Sequence, residues 1–472
     1  MAVKTTPEIA RKQRKELIKK GGKFAEQLKE LPKARVKSGI LKLTNYIDNV
    51  ELFYDMQPFF YDRSKMFWLW NKEEYKWEMK DDVDIMNAID NELEFGGETV
   101  TAGVKTNYLE AFKRVGRNNI PKAIKGTWVQ FKKKMIDVLN GKKFEATPEY
   151  FVTNPIPLDI GNSDETPEMD RIFKEWVGIE NVDILYEIIS YCLLPSYPLH
   201  KIFCLIGSGS NGKGKFLELL TRFIGVENVT STELDVLLNS RFESTRLHKK
   251  LVCLMGETNF GEISKTSILK KLTGQDMIGF EFKNKNPFEG YNYAKIIIAT
   301  NTLPITMDKT IGFYRRWIII DFPNTFTEKK KILDEIPIEE YNNLAKKSIG
   351  ILKHILTGRE FTNEGSYDER EQRYEERSNP LKKFLETYTT EDPDGYVFKW
   401  ELRDKFQVFL IQNRHRKWSD IEIGMRMKER YEERQMGEDR YRAWIGIRWK
   451  QKLVDYSQVS PLSRDKLIHF PI

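Results

Sequence analysis

The stretch "KIFCLIGSGSNGKGKFLELL", Lys201 to Leu220, constrains the chain more than any other. A short apolar run bounded by glycine reads as a buried strand, and "KGKFLELLTRFIG" directly after it reads as an amphipathic helix. Gly207, Gly209 and Gly212 let the connecting backbone curl, so that its N–H groups converge on one point. The helix aims the positive end of its dipole at that point. Gly207, Gly212 and Lys213 fit the pattern G-x-x-x-x-G-K-[ST], a loop that cradles phosphates while its lysine reaches the β- and γ-phosphates. One position departs from the pattern: Gly214 stands where a hydroxyl would help hold Mg²⁺. The predicted phosphate loop comprises Gly207, Ser208, Gly209, Ser210, Asn211, Gly212, Lys213, Gly214 and Lys215. Its expected occupant is ATP with Mg²⁺.

Three more apolar runs follow: "KLVCLMGE" (250–257), "KIIIATN" (295–301) and "RWIIIDFP" (316–323). Apolar strands alternating with helices imply a parallel sheet covered on both faces. In such sheets ligands bind outside the carboxyl ends of the strands. Glu257 ends the first of these runs, where a carboxylate binds Mg²⁺, orients the attacking water, or both. Asn301 ends the second; its amide is placed to contact the γ-phosphate or that water, the plain alternative being a turn asparagine. Arg315 and Arg316 precede the third. They are either rim charges or a finger that reaches a γ-phosphate held by a neighbouring subunit, and the spacing does not choose between them.

The flanks are different in kind. A chain of 472 residues is expected to hold two to four domains. Residues 1–40 carry twelve Lys/Arg against four Glu, so the net charge of +7 lies in a basic, helix-patterned arm. Such an arm suits a polyanionic partner or a solvated helix. "FWLWNKEEYKWEMK" alternates aromatic and polar residues about a turn, which predicts a β-hairpin with one buried aromatic face. "TPEMDRIFKEWVG" and "DILYEIISYCLL" read as helices. Cys192, Cys204 and Cys253 each sit in an apolar run and read as buried thiols of a reducing compartment. Neither they nor the five histidines have metal-ligand spacing. No apolar run is long enough to span a membrane, and no apolar signal core begins the chain, so a non-secreted, non-membrane protein is expected. After Pro323 the chain is polar and helical to about residue 379, with a linker-like "RYEERSNP". Residues 380–455 read as helices and then the alternating strand "YRAWIGIRWK", the outline of a winged helix. Its "NRHRKWSD" segment and Arg440, Arg442 and Arg448 are candidate contacts to duplex DNA, or part of a protein-packing surface.

Taken in order, "GSGSNGKGKF", "LVCLMGE", "LKKLTGQDMIGFEFKNKNPF", "KIIIATNTLP" and "FYRRWIIIDFP" resemble the superfamily III helicases. The closer likeness is to the helicase half of phage, plasmid and poxvirus primase-helicases. "FEATPEYFVTNPIPLDIGN" and "ILYEIISYCLLP" resemble the domain that precedes the ATPase there. The resemblance covers roughly residues 50–330 and implies an α/β fold: an AAA+-like P-loop ATPase core with a parallel sheet. A mixed α/β domain would precede that core and a winged helix would follow it. From the resemblance together with the charge and pattern of the flanks, the expected boundaries are 1–50 (basic helical arm), 51–190 (N-terminal α/β domain), 191–330 (ATPase), 331–379 (helical linker) and 380–472 (winged-helix-like domain). The resemblance further implies a ring, usually hexameric, that moves 3′ to 5′ along single-stranded or forked DNA in a virus- or plasmid-harbouring cytoplasm. Gly207, Asn211, Gly212 and Lys213 match its phosphate loop, Glu257 its acidic motif, Asn301 its sensor, and Arg315 or Arg316 its finger. Lys283 and Lys285 match a basic hairpin that grips the phosphates of the strand in the ring's channel. No primase catalytic clusters occur in residues 1–190, so a separate or fused primase is the implied partner. Two other readings are an origin-binding initiator whose ATPase switches assembly, and a P-loop kinase. The tandem arginines, the basic hairpin and the C-terminal module argue against the kinase.

Overall fold

The computed structural model describes residues 46–87, 101–207, 209–256, 262–283, 287–327, 331–413, 415, 417–437 and 440–450. The basic arm up to residue 45, Ser208, Glu257 and Lys285 lie outside the described residues.

The chain opens with α1 (Tyr46–Met56), then an antiparallel sheet of β1 (Phe59–Tyr61), β2 (Phe67–Asn71) and β3 (Lys76–Lys80). α2 (Ala102–Asn118) leads to a second antiparallel sheet, β4 (Trp128–Phe131), β5 (Lys134–Asp137) and β6 (Lys143–Glu145). The expected hairpin is β2–β3, with Trp70 opposite Trp77. The expected buried aromatic face is present, and the β2 part of the other face is covered as well. Phe67 packs with Val50, Phe53 and Phe112 of α1 and α2. Trp68, Trp70 and Trp77 pack with Met135 of the second sheet and Val152. β3 keeps part of its length in solvent, with Met79 40% exposed. α3 (Pro167–Val177) and α4 (Val182–Tyr191) complete this region.

The central region runs β7 (Ile202–Ile206), α5 (Lys213–Ile224), β8 (Val229–Ser231), α6 (Leu234–Asn239), β9 (Val252–Met255), β10 (Glu262–Ile263) and α7 (Thr266–Thr273). It continues through β11 (Met277–Phe280), β12 (Phe288–Tyr291), β13 (Lys295–Thr300), β14 (Ile305–Thr306), α8 (Ile311–Tyr314) and β15 (Trp317–Asp321). Among the described residues five of these strands form the parallel sheet, in the order β15-β7-β13-β9-β8. The predicted apolar runs supply four of them. Side chains alternate across the sheet. Phe203, Leu205, Ile297, Ile318 and Ile320 face α3, α4 and α5. Ile202, Cys204, Ile206, Ile296 and Ile298 face α6, α7 and α8. Full burial of one such side chain contributes about 1.5–3 kcal/mol, and this explains why near-continuous apolar runs make these strands. The three cysteines are buried, and burial pushes the Cys192 and Cys253 thiols up to about 12.

α9 (Ile338–Gly358) and α10 (Tyr367–Ser378) occupy the stretch read as a linker. Both belong to the central core instead. Tyr341, Leu344, Leu352 and Ile355 of α9 join the first face, and Tyr374 of α10 joins the second. Their apolar stripes are narrow, so the segments read as polar although one side of each is covered. The C-terminal module then runs α11 (Pro380–Tyr388), β16 (Thr389–Phe398), α12 (Lys399–Gln412), α13 (Asp420–Lys428), β17 (Glu433–Met436) and β18 (Tyr441–Trp449). Its antiparallel sheet has the order β16-β18-β17, over a core of Phe384, Leu402, Phe406, Leu410, Met427 and Trp444. No helix among the described residues is long and apolar enough to cross a membrane.

Candidate nucleotide site

β7 ends at Ile206, and the chain turns back through a loop onto α5. Three backbone features shape this loop. Gly209 and Gly212 hold φ values of +109° and +93°, and Ser210 holds +47°. These left-handed turns suit glycine and cost a serine some strain. Gly207 is needed for space: a Cβ there would lie 1.7 Å from Asn211 Nδ2 and 2.6 Å from the Phe322 carbonyl. A Cβ on Gly212 would lie 2.6 Å from Trp176 Cδ1, so the α3 indole seats the end of the loop. The segment after β15 pins the rest. Asn211 Nδ2 donates to the Phe322 carbonyl (3.2 Å), and the Phe326 N–H donates to the Ser210 carbonyl (2.7 Å).

Lys213 opens α5 and is 6% exposed. Its amine donates to the Gly207 carbonyl (2.6 Å), to Asn211 Oδ1 (3.2 Å) and to Asn301 Oδ1 (3.3 Å). Two residues 88 positions apart in sequence thus meet beneath the loop. The sheet order brings them together: β13 lies directly beside β7, so the residue following β13 flanks the loop following β7. A buried ammonium ringed by oxygen acceptors, next to a glycine cradle and a helix N-terminus, has the chemistry of a polyphosphate site.

The remaining predicted residues fall as follows. A Cβ on Gly214 would meet nothing within 4 Å, and its φ is not positive, so the fold does not require glycine there. Lys215 is exposed and pairs with Glu218 at 2.7 Å, on the solvent side of α5. Glu257 comes two residues after Met255, the end of β9, and lies outside the described residues. Among the described residues no group of three His, Cys, Asp or Glu side chains could hold a metal.

The two arginines separate clearly. Arg316 is buried, with Nε donating to Thr273 Oγ1 (2.9 Å) and the guanidinium also bonded to the Gly312 and Lys270 carbonyls. It pins α7 and α8 within its own chain. Arg315 is exposed and lies 3.4 Å from His200 Nδ1. Burial, then the cationic Arg316 and Arg315, hold the His200 pKa below the usual imidazole range. Arg315 precedes β15, whose Trp317 pairs with Ile202 at the start of β7. The loop follows the other end of β7, four residue steps or about 13 Å away along the sheet.

Lys283 is exposed in the turn joining β11 to β12, and the pairing Phe280–Phe288 closes that hairpin. Its base encloses His248, whose ring contacts Phe280, Phe282 and Phe288. Burial, then Lys249, pulls His248 down to about 3. In the C-terminal module Arg442 and Arg448 are exposed and pair with Glu433 (3.2 Å) and Asp392 (3.0 Å). Sequence reasoning missed Trp176, which sits 31 residues before the loop lysine's neighbour Gly207 and carries no local signal. It also missed Asp321, which ends β15 beside Ile206. Asp321 ends a strand as Asn301 does, but both its carboxylate oxygens are taken up by Arg373 and Arg377, so it serves as an anchor for those arginines and not as part of the phosphate cradle.

A family described as of unknown function (DUF5906) matches residues 205–316, from the end of β7 to Arg316. Over 183 residues the chain is 26% identical to "Putative helicase L207/L206" of Acanthamoeba polyphaga mimivirus, a match covering 37% of this chain and 19% of that protein. The chain thus aligns with about a fifth of the length of that curated relative. Among solved structures, the A-form apo structure of the NrS-1 C-terminal region is 14% identical with a TM-score of 0.44, covering 85% of this chain and 98% of that one. The apo structure of NrS-1 residues 305–718 is 15% identical with a TM-score of 0.46, covering 85% and 99%.

Proposed function

We propose that the chain is the ATP-driven motor of a viral or plasmid DNA-replication helicase. The observation that carries this reading is the meeting of Lys213 and Asn301 under a glycine cradle that no larger residue could replace at Gly207. The name of the mimivirus relative supports it. The ordered motifs support the finer assignment to superfamily III, with a ring of subunits translocating 3′ to 5′ on single-stranded DNA and working with a separate or fused primase.

The backbone N–H groups of residues 207–213 and the Lys213 amine bind the β- and γ-phosphate oxygens of ATP. Those oxygens replace the carbonyl and amide acceptors that the amine now contacts. Asn301 holds the γ-phosphate or the attacking water. Mg²⁺ would be held by phosphate oxygens, water and Glu257, and would neutralise charge as the γ-phosphoryl leaves. Arg315, at the far edge of the sheet from its own loop, serves the nucleotide of the adjoining subunit, whereas Arg316 is committed within its chain. Lys283 and Lys285 grip the strand in the channel, and the hairpin moves when the Asn301 strand responds to hydrolysis. The element order of the C-terminal module supports a winged helix, with Arg440, Arg442 and Arg448 beside duplex DNA. A second use of the module as a protein contact is favoured by the exposed Ile421 and Met425 on α13 (74% and 60%). Gel shifts over a range of salt separate the two, since only the DNA reading gives salt-sensitive duplex binding.

The deciding experiment is ATP turnover with and without single-stranded DNA, together with unwinding of tailed forks. Wild type should show DNA-stimulated turnover. Lys213→Ala should lose it, and Lys283→Ala/Lys285→Ala should keep basal turnover without unwinding. A folded wild type that consumes no ATP would defeat the reading.

A further inference from the structure

The last turn of α10 touches several parts of the proposed motor at once. Tyr374 is fully buried, and its hydroxyl donates to the Pro304 carbonyl at 2.8 Å, three residues beyond Asn301. The Leu303 N–H donates to the Arg377 carbonyl at 3.5 Å. Glu375 accepts from the hydroxyl of Tyr314, the neighbour of Arg315, and from the Lys309 amine. One helix turn therefore holds two separate segments of the same face: the loop after Asn301 and the helix before Arg315.

The Arg377 side chain adds a different connection. Its guanidinium pairs with Asp321 Oδ1 at 2.8 Å and donates to the Asn413 carbonyl at 2.8 Å. Arg373 takes the other oxygen of Asp321 at 3.0 Å. Asp321 stands in register with Ile206, the residue before Gly207. Asn413 follows α12 of the C-terminal module. The Arg377 side chain is 12% exposed and that of Asp321 23%, so solvent screens the pair only partly. The backbone offers no slack to absorb a movement. Only Asn379 separates α10 from α11, and its side chain accepts the Lys382 N–H at 3.0 Å.

We propose that Arg377 is a positioning residue that couples the C-terminal module to the nucleotide site through the bridge Asp321–Arg377–Asn413. The inference rests on the motor reading above and assigns the bridge a specific job. Duplex or forked DNA held by the module shifts α10, and α10 shifts the loop that carries Asn301 next to Lys213. Coupling of this kind is reciprocal for binding, so nucleotide at the loop also changes the module's grip on duplex. The β11–β12 hairpin provides a separate route for single-stranded DNA, because the bridge does not include it.

The two routes can be tested apart. ATP turnover of the full chain is measured alone, with an unstructured single strand and with a forked duplex, and kcat and KM are obtained for each. Asp321→Asn keeps the shape of the side chain and removes its charge, Arg377→Gln removes the cation, and Arg377→Lys restores it. Thermal unfolding of each variant is followed alongside. The expected result is that stimulation by the single strand survives in Asp321→Asn and Arg377→Gln. The extra stimulation by the fork should fall by about fivefold or more, the lower end of typical coupling. The double variant should be no worse than either single, because both break one bridge. Arg377→Lys should recover part of the effect. Equal fork stimulation in wild type and in the correctly folded Asp321→Asn variant would overturn the inference and leave the motor reading intact. Absence of ATP turnover in wild type would instead overturn the motor reading, and the coupling with it.

Discussion

The central sheet and the C-terminal sheet solve the same problem in opposite ways. In the central sheet β7, β13 and β15 are covered on both faces, with helices of residues 167–224 on one side and α6, α7, α8 and α10 on the other. In the C-terminal module the strands are antiparallel, and residues such as Arg442 and Arg448 stand out in solvent. The doubly covered sheet leaves its strand ends as the main places where a polar side chain meets a ligand. Gly207 and Asn301 both lie at that carboxyl edge. A one-sided sheet spreads its polar groups along its length, so position in the strand says little about use.

Four tests sharpen this contrast, in order of decreasing effect. Gly207→Ala adds a methyl where only 1.7 Å separates it from Asn211 Nδ2. ATP turnover should fall by about two orders of magnitude, as for loss of a preorganised donor set, while circular dichroism stays native. Retained turnover would mean that the cradle is softer than its contacts imply. Next, Ile297→Ala in the doubly covered sheet should cost about 2–5 kcal/mol in urea unfolding, and Ile447→Ala in the module should fall at the low end of that range. Equal costs would show that the thinner core is packed as firmly as the thicker one.

The third concerns acid. His248 has a folded pKa of about 3 against an ordinary 6.5, so the unfolded chain binds the proton more readily. Stability from this group is present above pH 6.5 and is lost as pH falls from there toward 3. The slope is at most about 1.4 kcal/mol per pH unit. His248→Phe should flatten that limb, whereas His415→Phe in the module, starting from about 4, should flatten a shorter one. The smallest effect is expected at Gly214→Ser, where an added side chain meets open space. Stability should change by no more than about 0.5 kcal/mol, and half-saturation by Mg²⁺ should shift lower because a hydroxyl is supplied.

The contrast also governs what could be read in advance. β7, β9, β13 and β15 were legible because burial on both faces writes an unbroken apolar run. The loop and its lysine were legible because glycine spacing is a local signal. β8 was not, since it has only three residues and none of them is buried. β16 was hidden by "TTEDPDG", which reads as a turn; the strand carries an irregular register between Glu391 and Tyr396. α10 read as part of a linker because its composition is charged, yet Tyr374, with Tyr367 packed beside it, joins it to the core. The two arginines could not be told apart by spacing. Burial tells them apart, because Arg316 spends its donors on Thr273, Gly312 and Lys270.

The sealed thiols have a practical consequence. Thiolate, not thiol, reacts with maleimide dyes, and Cys192, Cys204 and Cys253 lie inside with their proton loss pushed to high pH. A single cysteine introduced on the hairpin turn near Lys283, or on α13, would therefore take a fluorophore without first stripping the native ones. Real-time distance measurements between hairpin and module then need only two added labelling sites on an otherwise unaltered chain.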